Sequence, residues 1–374
     1  MNFLDHLRAQ WFAALFGCIL YTAAIAILFW NEGRAVNNAM SLDEAMSNVY
    51  IANANDPIDP SLEGRLIHIT GKISTGEPLT EPDYGIQVLA VKLKRRVQMY
   101  QWIEEEVEYK FGESVATIEG NDRTYYYTMD WRDDIVDSSM FYIRSGHNNP
   151  TKFPIQTRVQ LAEHVSIGYF ELGSAVKSKV TRFIELTSDS RPEDPSVKLH
   201  SGLYYHCNDV FNPEVGDLRI QFSFSGLEGT TYTVVGMLQN GKIVPYPTSV
   251  NINVLLVFEG DLTLASALKA AHYSYKLTTW GFRFIGFVLL FFAITCTTAL
   301  LQVLFCQNRL LWSIMPDADH PVTGNLILSF SIALAVTALA WIFHRPWIGC
   351  SMIFAAISPF LLCARGVIMY QRVP

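Results

Sequence analysis

Four stretches of the chain lack Asp, Glu, Lys, Arg and His altogether: Trp11–Trp30, Phe284–Phe305, Leu326–Phe343 and Trp347–Ala364. A hydrocarbon core about 30 Å thick takes roughly 20 helical residues, with about 17 as the lower limit, so each stretch predicts a transmembrane helix. The last two are joined only by His344-Arg345-Pro346. The first is too long for the apolar region of a signal peptide, and its Ala24-Ile25-Ala26 lies inside the apolar run, so it reads as an uncleaved anchor. Trp11, Trp30, Trp280, Trp341 and Trp347 fall near span ends, where indole rings favour the membrane–water interface.

Between the first and second spans the period changes from helical to two. Gly64–Ser74 alternates Leu66, His68 and Thr70 against Arg65, Ile67 and Ile69. Residues 87–108 place Lys92, Lys94 and Arg96 on one face and Val91, Leu93, Val97 and Met99 mainly on the other, as a half-buried strand requires. Further strands are predicted at Thr124–Trp131, Val159–Tyr169, Leu218–Ser225, Thr231–Leu238, Lys242–Tyr246 and Asn251–Phe258, with Asn240-Gly241 as a two-residue hairpin turn. Two Gly-led strand openings, Glu63-Gly64-Arg65-Leu66 and Val215-Gly216-Asp217-Leu218, suggest a duplicated β-unit, divided near Thr187–Pro195. Thr263 is placed to cap a helix over 263–283 that feeds the second span.

The expected architecture is therefore an α+β membrane protein. Residues 1–10 precede a first span at 11–30, and a β-rich domain occupies 31–262 in two related barrel-like or sandwich-like halves. A juxtamembrane helix over 263–283 leads into a second span at 284–305. A loop at 306–325, spans at 326–343 and 347–364, and a tail at 365–374 complete the chain.

Charge changes the picture in one respect and is silent in another. The net charge is −7, and outside residues 31–283 five arginines face three aspartates, so the domain carries about −9. That excludes nucleic acid as a natural partner, because phosphate neutralisation takes clustered cations. Near the span ends Arg8, Arg309, Arg365 and Arg372 lie on the side of the termini, and Arg34, Lys269, Lys276, Arg283 and Arg345 on the side of the domain. The positive-inside rule does not choose an orientation. Of the six cysteines only Cys207 lies in the domain, so no intramolecular disulfide staples it. Asn149-Pro150-Thr151 is blocked as a glycosylation acceptor by its proline.

Catalytic signatures such as His-Glu-x-x-His, a Walker loop, Gly-x-Ser-x-Gly or Cys-x-x-Cys do not occur. His206 and Cys207 are neighbours, which on a strand point to opposite faces and make a poor base–nucleophile pair. Asp130, Asp133, Asp134 and Asp137 surround Trp131-Arg132, readable as a divalent-ion site or as a solvated loop with Arg132 pairing. The run Lys92-Leu93-Lys94-Arg95-Arg96 predicts a strand whose charges meet Glu104-Glu105-Glu106 across a hairpin. The spans carry no Asp, Glu, Lys, Arg or His, and small polar residues such as Thr295, Thr297, Thr298, Ser329 and Ser331 suit helix packing better than a conduit.

The segment Phe29-Trp30-Asn31-Glu32-Gly33-Arg34-Ala35 resembles the Asn-Glu-Gly-Arg-Ala signature of the LUMA transmembrane family. Glu63–Ile69, Ala90–Arg95, Met99–Trp102, Glu214–Arg219, Thr279-Trp280-Gly281 and Arg345-Pro346 continue the resemblance in the family's order. The chain lacks the longer Ser/Thr-rich leader of vertebrate members. The resemblance implies residence in the endoplasmic reticulum and inner nuclear membrane, with the domain lumenal and the termini cytosolic or nucleoplasmic. It implies self-association, contact with lamins and emerin-like envelope proteins, and a non-enzymatic scaffold role with no cofactor; the alternative from another class is a channel or channel regulator. The residues marked as a structural or interface signature are Asn31, Glu32, Gly33, Arg34, Trp280, Arg345 and Pro346.

Overall fold

The computed structural model describes residues 3–108, 123–187, 194–305, 321–342 and 346–370. It divides into two compact units. One comprises Met1–Ser47, Pro247–Val254 and Ala265–Pro374; the other comprises Asn48–Tyr246 and Leu255–Leu264.

The first unit is helical. Its helices are α1 (Phe3–Asn48), α3 (Leu264–Phe305), α4 (Pro321–Ile342) and α5 (Pro346–Tyr370). A short helix, α2 (Ser174–Ser178), belongs to the second unit. Among the described residues three helices are long and apolar enough to cross a membrane, over Trp11–Asn48, Leu264–Thr298 and Val322–Ile342. Three boundaries expected from the sequence change. The helix beginning in the first apolar run does not stop at Trp30 but continues to Asn48, so Asn31–Arg34 are helical and not the opening of the β-domain. The reason is a second stripe: Asn38, Ser41, Leu42 and Ala45 recur at helical spacing and are all buried. Ser41 and Glu44 also bond outward to Thr248 and Ser249, whose backbone N–H and hydroxyl donate to the Glu44 carboxylate. The juxtamembrane helix and the second span are likewise one uninterrupted helix, α3. Asn325, expected in a loop, lies inside α4.

Within this unit α1, α3 and α4 share a core of Ala24, Leu28 and Leu290, with Ile332, Ala333 and Val336 against it. The backbones of α1 and α3 come close where side chains vanish. A Cβ on Gly17 would meet Thr297 Cγ2 at 2.6 Å, and one on Gly286 would meet Leu28 Cγ at 2.5 Å. Small residues at such crossings are how helices associate where lipid removes the hydrophobic drive. Across α3 and α4, Thr298 Oγ1 donates to Asn325 Oδ1 (3.1 Å) and Asn325 Nδ2 to Thr295 Oγ1 (3.3 Å), so the buried amide spends its polarity on packing.

The second unit contains a barrel. Strand Leu66–Thr75 pairs with Val165–Ile167, that strand with Phe170–Leu172, that with Lys242–Val244, and that with Thr231–Gln239. Thr231–Gln239 returns to Leu66–Thr75 and closes the ring. Ile67, Ile69, Ile73, Phe170, Val234, Leu238 and Ile243 are all buried. A second sheet is built on the long strand Ala90–Glu108, flanked by Arg123–Arg132 and Leu218–Leu227, and extended by Leu203–His206 and Val197–His200. One core joins barrel and sheet, since Leu93, Val97, Met99, Ile220 and Phe222 belong to the same buried cluster as the barrel residues.

Two features of this unit follow from sequence patterns. Asn240-Gly241 turns Thr231–Gln239 into Lys242–Val244, with Gln239 opposite Lys242 and both turn residues at positive φ (50° and 74°). The Gly-led openings are structurally alike. Gly64 N donates to Leu238 O, and Leu238 N donates back to Arg65 O; Gly216 N donates to Tyr100 O, and Tyr100 N donates back to Asp217 O. In each case the residue after the glycine also donates to the carbonyl three residues earlier, Leu62 or Glu214, and both glycines have positive φ (75° and 103°).

The charge pairing expected across a hairpin does not occur. Lys92–Arg96 and Glu104–Glu106 lie on one continuous strand, with no turn-forming residue between them, so they cannot face each other. Arg95 instead pairs with Glu81 (2.8 Å) and Arg96 with Asp133 (2.6 Å), while Glu104–Glu106 lie opposite Tyr125–Tyr127.

Candidate functional site: a polar lock at the end of the spans

Glu32 lies two residues past the apolar run of α1 and is 1% exposed. Burying a carboxylate costs several kcal/mol unless it is paired and its lone pairs are filled. Both conditions are met by other helices of the same unit. Arg283 on α3 clasps it through two parallel bonds, Nε to Oε1 and Nη2 to Oε2, each 2.7 Å. Trp341 on α4 donates Nε1–H to Oε2 at 2.7 Å. This bidentate fork is the strong geometry for a guanidinium and a carboxylate. Glu32 thereby ties three helices together at one level.

One turn of contacts on either side completes the arrangement. Asn31, wholly buried, donates Nδ2 to the Thr279 carbonyl on α3 (3.1 Å) and accepts from Arg34 Nη2 on Oδ1 (3.0 Å). The Arg34 guanidinium lies 5.3 Å from the Trp30 ring centre and 4.9 Å from that of Phe282, within cation–π range of both. Arg34 Nε is sealed from solvent without a hydrogen-bond partner among the described residues. Arg283 lies 4.8 Å from the Trp280 ring centre.

The structure thus gathers Asn31, Glu32, Arg34 and Trp280 into one cluster. It does not gather the others. A Cβ on Gly33 would meet nothing within 4 Å, and nothing in the structure explains a glycine there. Pro346 opens α5, where its missing N–H costs no helical bond. Arg345 lies outside the described residues. Sequence reading missed the partners: Arg283 is a flanking cation in the charge balance and Trp341 an interface ring, and only the fold brings both onto Glu32.

Next to the lock α1 and α3 leave a cavity of about 700 Å³, lined by Asn38, Asp43, His272, Lys276, Trp280 and Trp341 among others.

The remaining sequence candidates behave as structural groups. His206 Nε2 lies 3.0 Å from the Tyr84 hydroxyl, and burial pulls its imidazole below the usual histidine range. The Cys207 thiol is pushed up, chiefly by burial, away from the reactive thiolate. The acidic cluster disperses: Asp133 goes to Arg96, Asp137 caps the Ser139 N–H, and Asp130 accepts from the Trp131 N–H. No three metal-ligating side chains converge among the described residues.

The chain matches the family model described as Transmembrane protein 43 over residues 99–346. It is 53% identical to the Transmembrane protein 43 homolog of Drosophila melanogaster over 369 residues, covering 98% of each chain. It is 31% identical to Transmembrane protein 43 of Homo sapiens over 380 residues, 98% of this chain and 93% of the human one. Transmembrane protein 43 of Mus musculus is 30% identical over 387 residues, 100% of this chain and 93% of its own. No solved structure matches.

Proposed function

The chain belongs to the transmembrane protein 43 family, and from that premise we propose that it is a non-enzymatic scaffold of the endoplasmic reticulum and inner nuclear membrane. In this reading it crosses the membrane four times, with α5 (Pro346–Tyr370) as the fourth span, the β-domain in the lumen and the termini in the cytosol or nucleoplasm. It self-associates and binds lamins and emerin-like envelope proteins.

The observation that carries the proposal is a run of exposed apolar residues on the β-domain. Met140, Tyr142 and Ile143 are 79%, 73% and 48% exposed. They follow the strand Arg123–Arg132, which among the described residues pairs only with Ala90–Glu108 and so leaves a sheet edge. Large apolar side chains gathered on a surface mark a protein contact. The membrane helices support the same reading from the other side. Three of their buried polar groups, Glu32, Asn31 and Asn325, are bonded between helices, which suits a fixed anchor.

Orientation is tested by glycosylation in microsomes. Val210→Ser completes an Asn-x-Ser acceptor at Asn208, an exposed position. This site is expected to be modified, whereas an Asn-Ala-Thr insertion after Asp317 stays bare. The reverse pattern would place the domain in the cytosol and end the lumenal scaffold.

A further inference from the structure

The cavity beside the polar lock has an unused set of polar groups in a definite order. Asn38 is 8% exposed and has no hydrogen-bond partner among the described residues, yet neither of its amide atoms is sealed off, so the amide opens into the cavity it lines. Lys276 and Asp43, also in the lining, have no ion-pair partner among the described residues. Arg283 is different, since its charge is already met by Glu32.

The two helices run antiparallel, with Gly17 against Thr297, Leu28 against Gly286 and Asn31 against Thr279. That register orders the lining by distance from the spans. Nearest come Trp341, Trp280 and Ala35; then Asn38 and Lys276; then Asp43 and His272. Asp43 lies five residues beyond Asn38, roughly 7.5 Å along a helix at about 1.5 Å per residue. Read outward from the membrane, the order is aromatic and apolar, then cationic with an amide donor, then anionic.

A zwitterionic phospholipid presents the complementary order: acyl chains, then phosphate, then ammonium. We propose that the cavity between α1 and α3 is a headgroup site for one such lipid. Lys276 and the Asn38 amide take the phosphate, Asp43 takes the ammonium, and the Trp280 and Trp341 rings flank the glycerol end. The volume of about 700 Å³ lies within the roughly 300–1,000 Å³ of small-molecule sites. The lipid fills the gap between α1 and α3 beside the lock, and makes the lock sensitive to lipid composition.

The test uses the full-length protein, extracted in detergent, delipidated and offered vesicles of phosphatidylethanolamine, phosphatidylcholine or phosphatidylglycerol, with retained lipid read by native mass spectrometry. One zwitterionic lipid per chain is expected, with phosphatidylglycerol held about tenfold more weakly for want of the ammonium. Asp43→Asn and Lys276→Gln, both at exposed positions, are each expected to lower retention about tenfold while the melting midpoint of the delipidated protein stays put. Ala39→Trp, which fills the cavity from α1, is expected to abolish it. Equal retention of phosphatidylglycerol, or variants that retain lipid like the parent, would overturn the proposal. So would free glycerophosphocholine displacing the lipid at equal concentration, which would make the ligand a soluble headgroup.

Discussion

Glu32 sits where the apolar run of α1 ends, and its neighbours decide whether the chain tolerates it there. Removing a partner from a buried ion pair costs more than the pair is worth, because the charge left behind is neither solvated nor matched. Arg283→Ala and Glu32→Ala are therefore each expected to destabilise the extracted protein by about 3–5 kcal/mol. The double variant is expected to be less damaged than the sum of the two, read as thermal midpoints in one detergent. Additive losses would mean that the two side chains do not act together. His206 makes a second prediction at this scale. Its folded imidazole titrates below the ordinary value of 6.5 because of burial, so below that pH the unfolded chain binds a proton that the folded chain refuses. Stability is expected to be complete above pH 6.5 and to fall as the pH drops through it. His206→Gln should flatten that slope between pH 7.5 and 5.5. Tyr84, pushed up to about 12 mainly by burial, works in the other direction. From about pH 10 upward the unfolded phenol ionises first, and the fold loses stability.

At the scale of elements the same few residues set the approach of α1 to α3. The Gly286 Cα faces Leu28 with no room for a side chain, so Gly286→Leu forces the helices apart. A loss of about 1–3 kcal/mol is expected from overpacking, accompanied by weaker protection of Glu32 and Asn31 in hydrogen exchange. The repeated strand opening gives a cleaner measurement. A Cβ on Gly64 would meet nothing within 4 Å, so Gly64→Ala tests the positive φ alone. The expected cost is about 1–2 kcal/mol, the penalty of left-handed backbone for an L-residue. A neutral Gly64→Ala would show that the opening is not held in that geometry.

For the whole molecule the proposed role rests on surfaces meeting other copies or other proteins. Met140→Glu with Tyr142→Glu replaces exposed apolar area by charge and leaves the core untouched, since Phe141 between them is the buried member. Chemical cross-linking in native membranes is expected to show self-association reduced about tenfold or more, a change of roughly 1.4 kcal/mol, with folded yield unaltered. Undiminished cross-linking would remove this loop from the interface and with it the main support for the scaffold.

Much of this architecture is legible in the chain because its periods are local. The uncharged runs, the alternation of Val91, Leu93, Val97 and Met99, the Asn240-Gly241 turn and the two Gly-led openings each state their structure within a few residues. The continuation of α1 was legible too, as the buried spacing of Asn38, Ser41, Leu42 and Ala45, but it was masked by turn-forming Asn and Gly residues that a packed helix tolerates. What local pattern could not contain is the choice of partner. Glu32 lies 251 residues from Arg283 and 309 from Trp341, and Arg95 turns to Glu81 in place of the acids further along its own strand. The strand register that closes the barrel is of the same kind, joining Leu66–Thr75 to Thr231–Gln239. Pattern along a chain reports which face of an element is apolar. Which face or charge it meets depends on the global packing that leaves the fewest buried groups unmatched, and only the tertiary structure decides that.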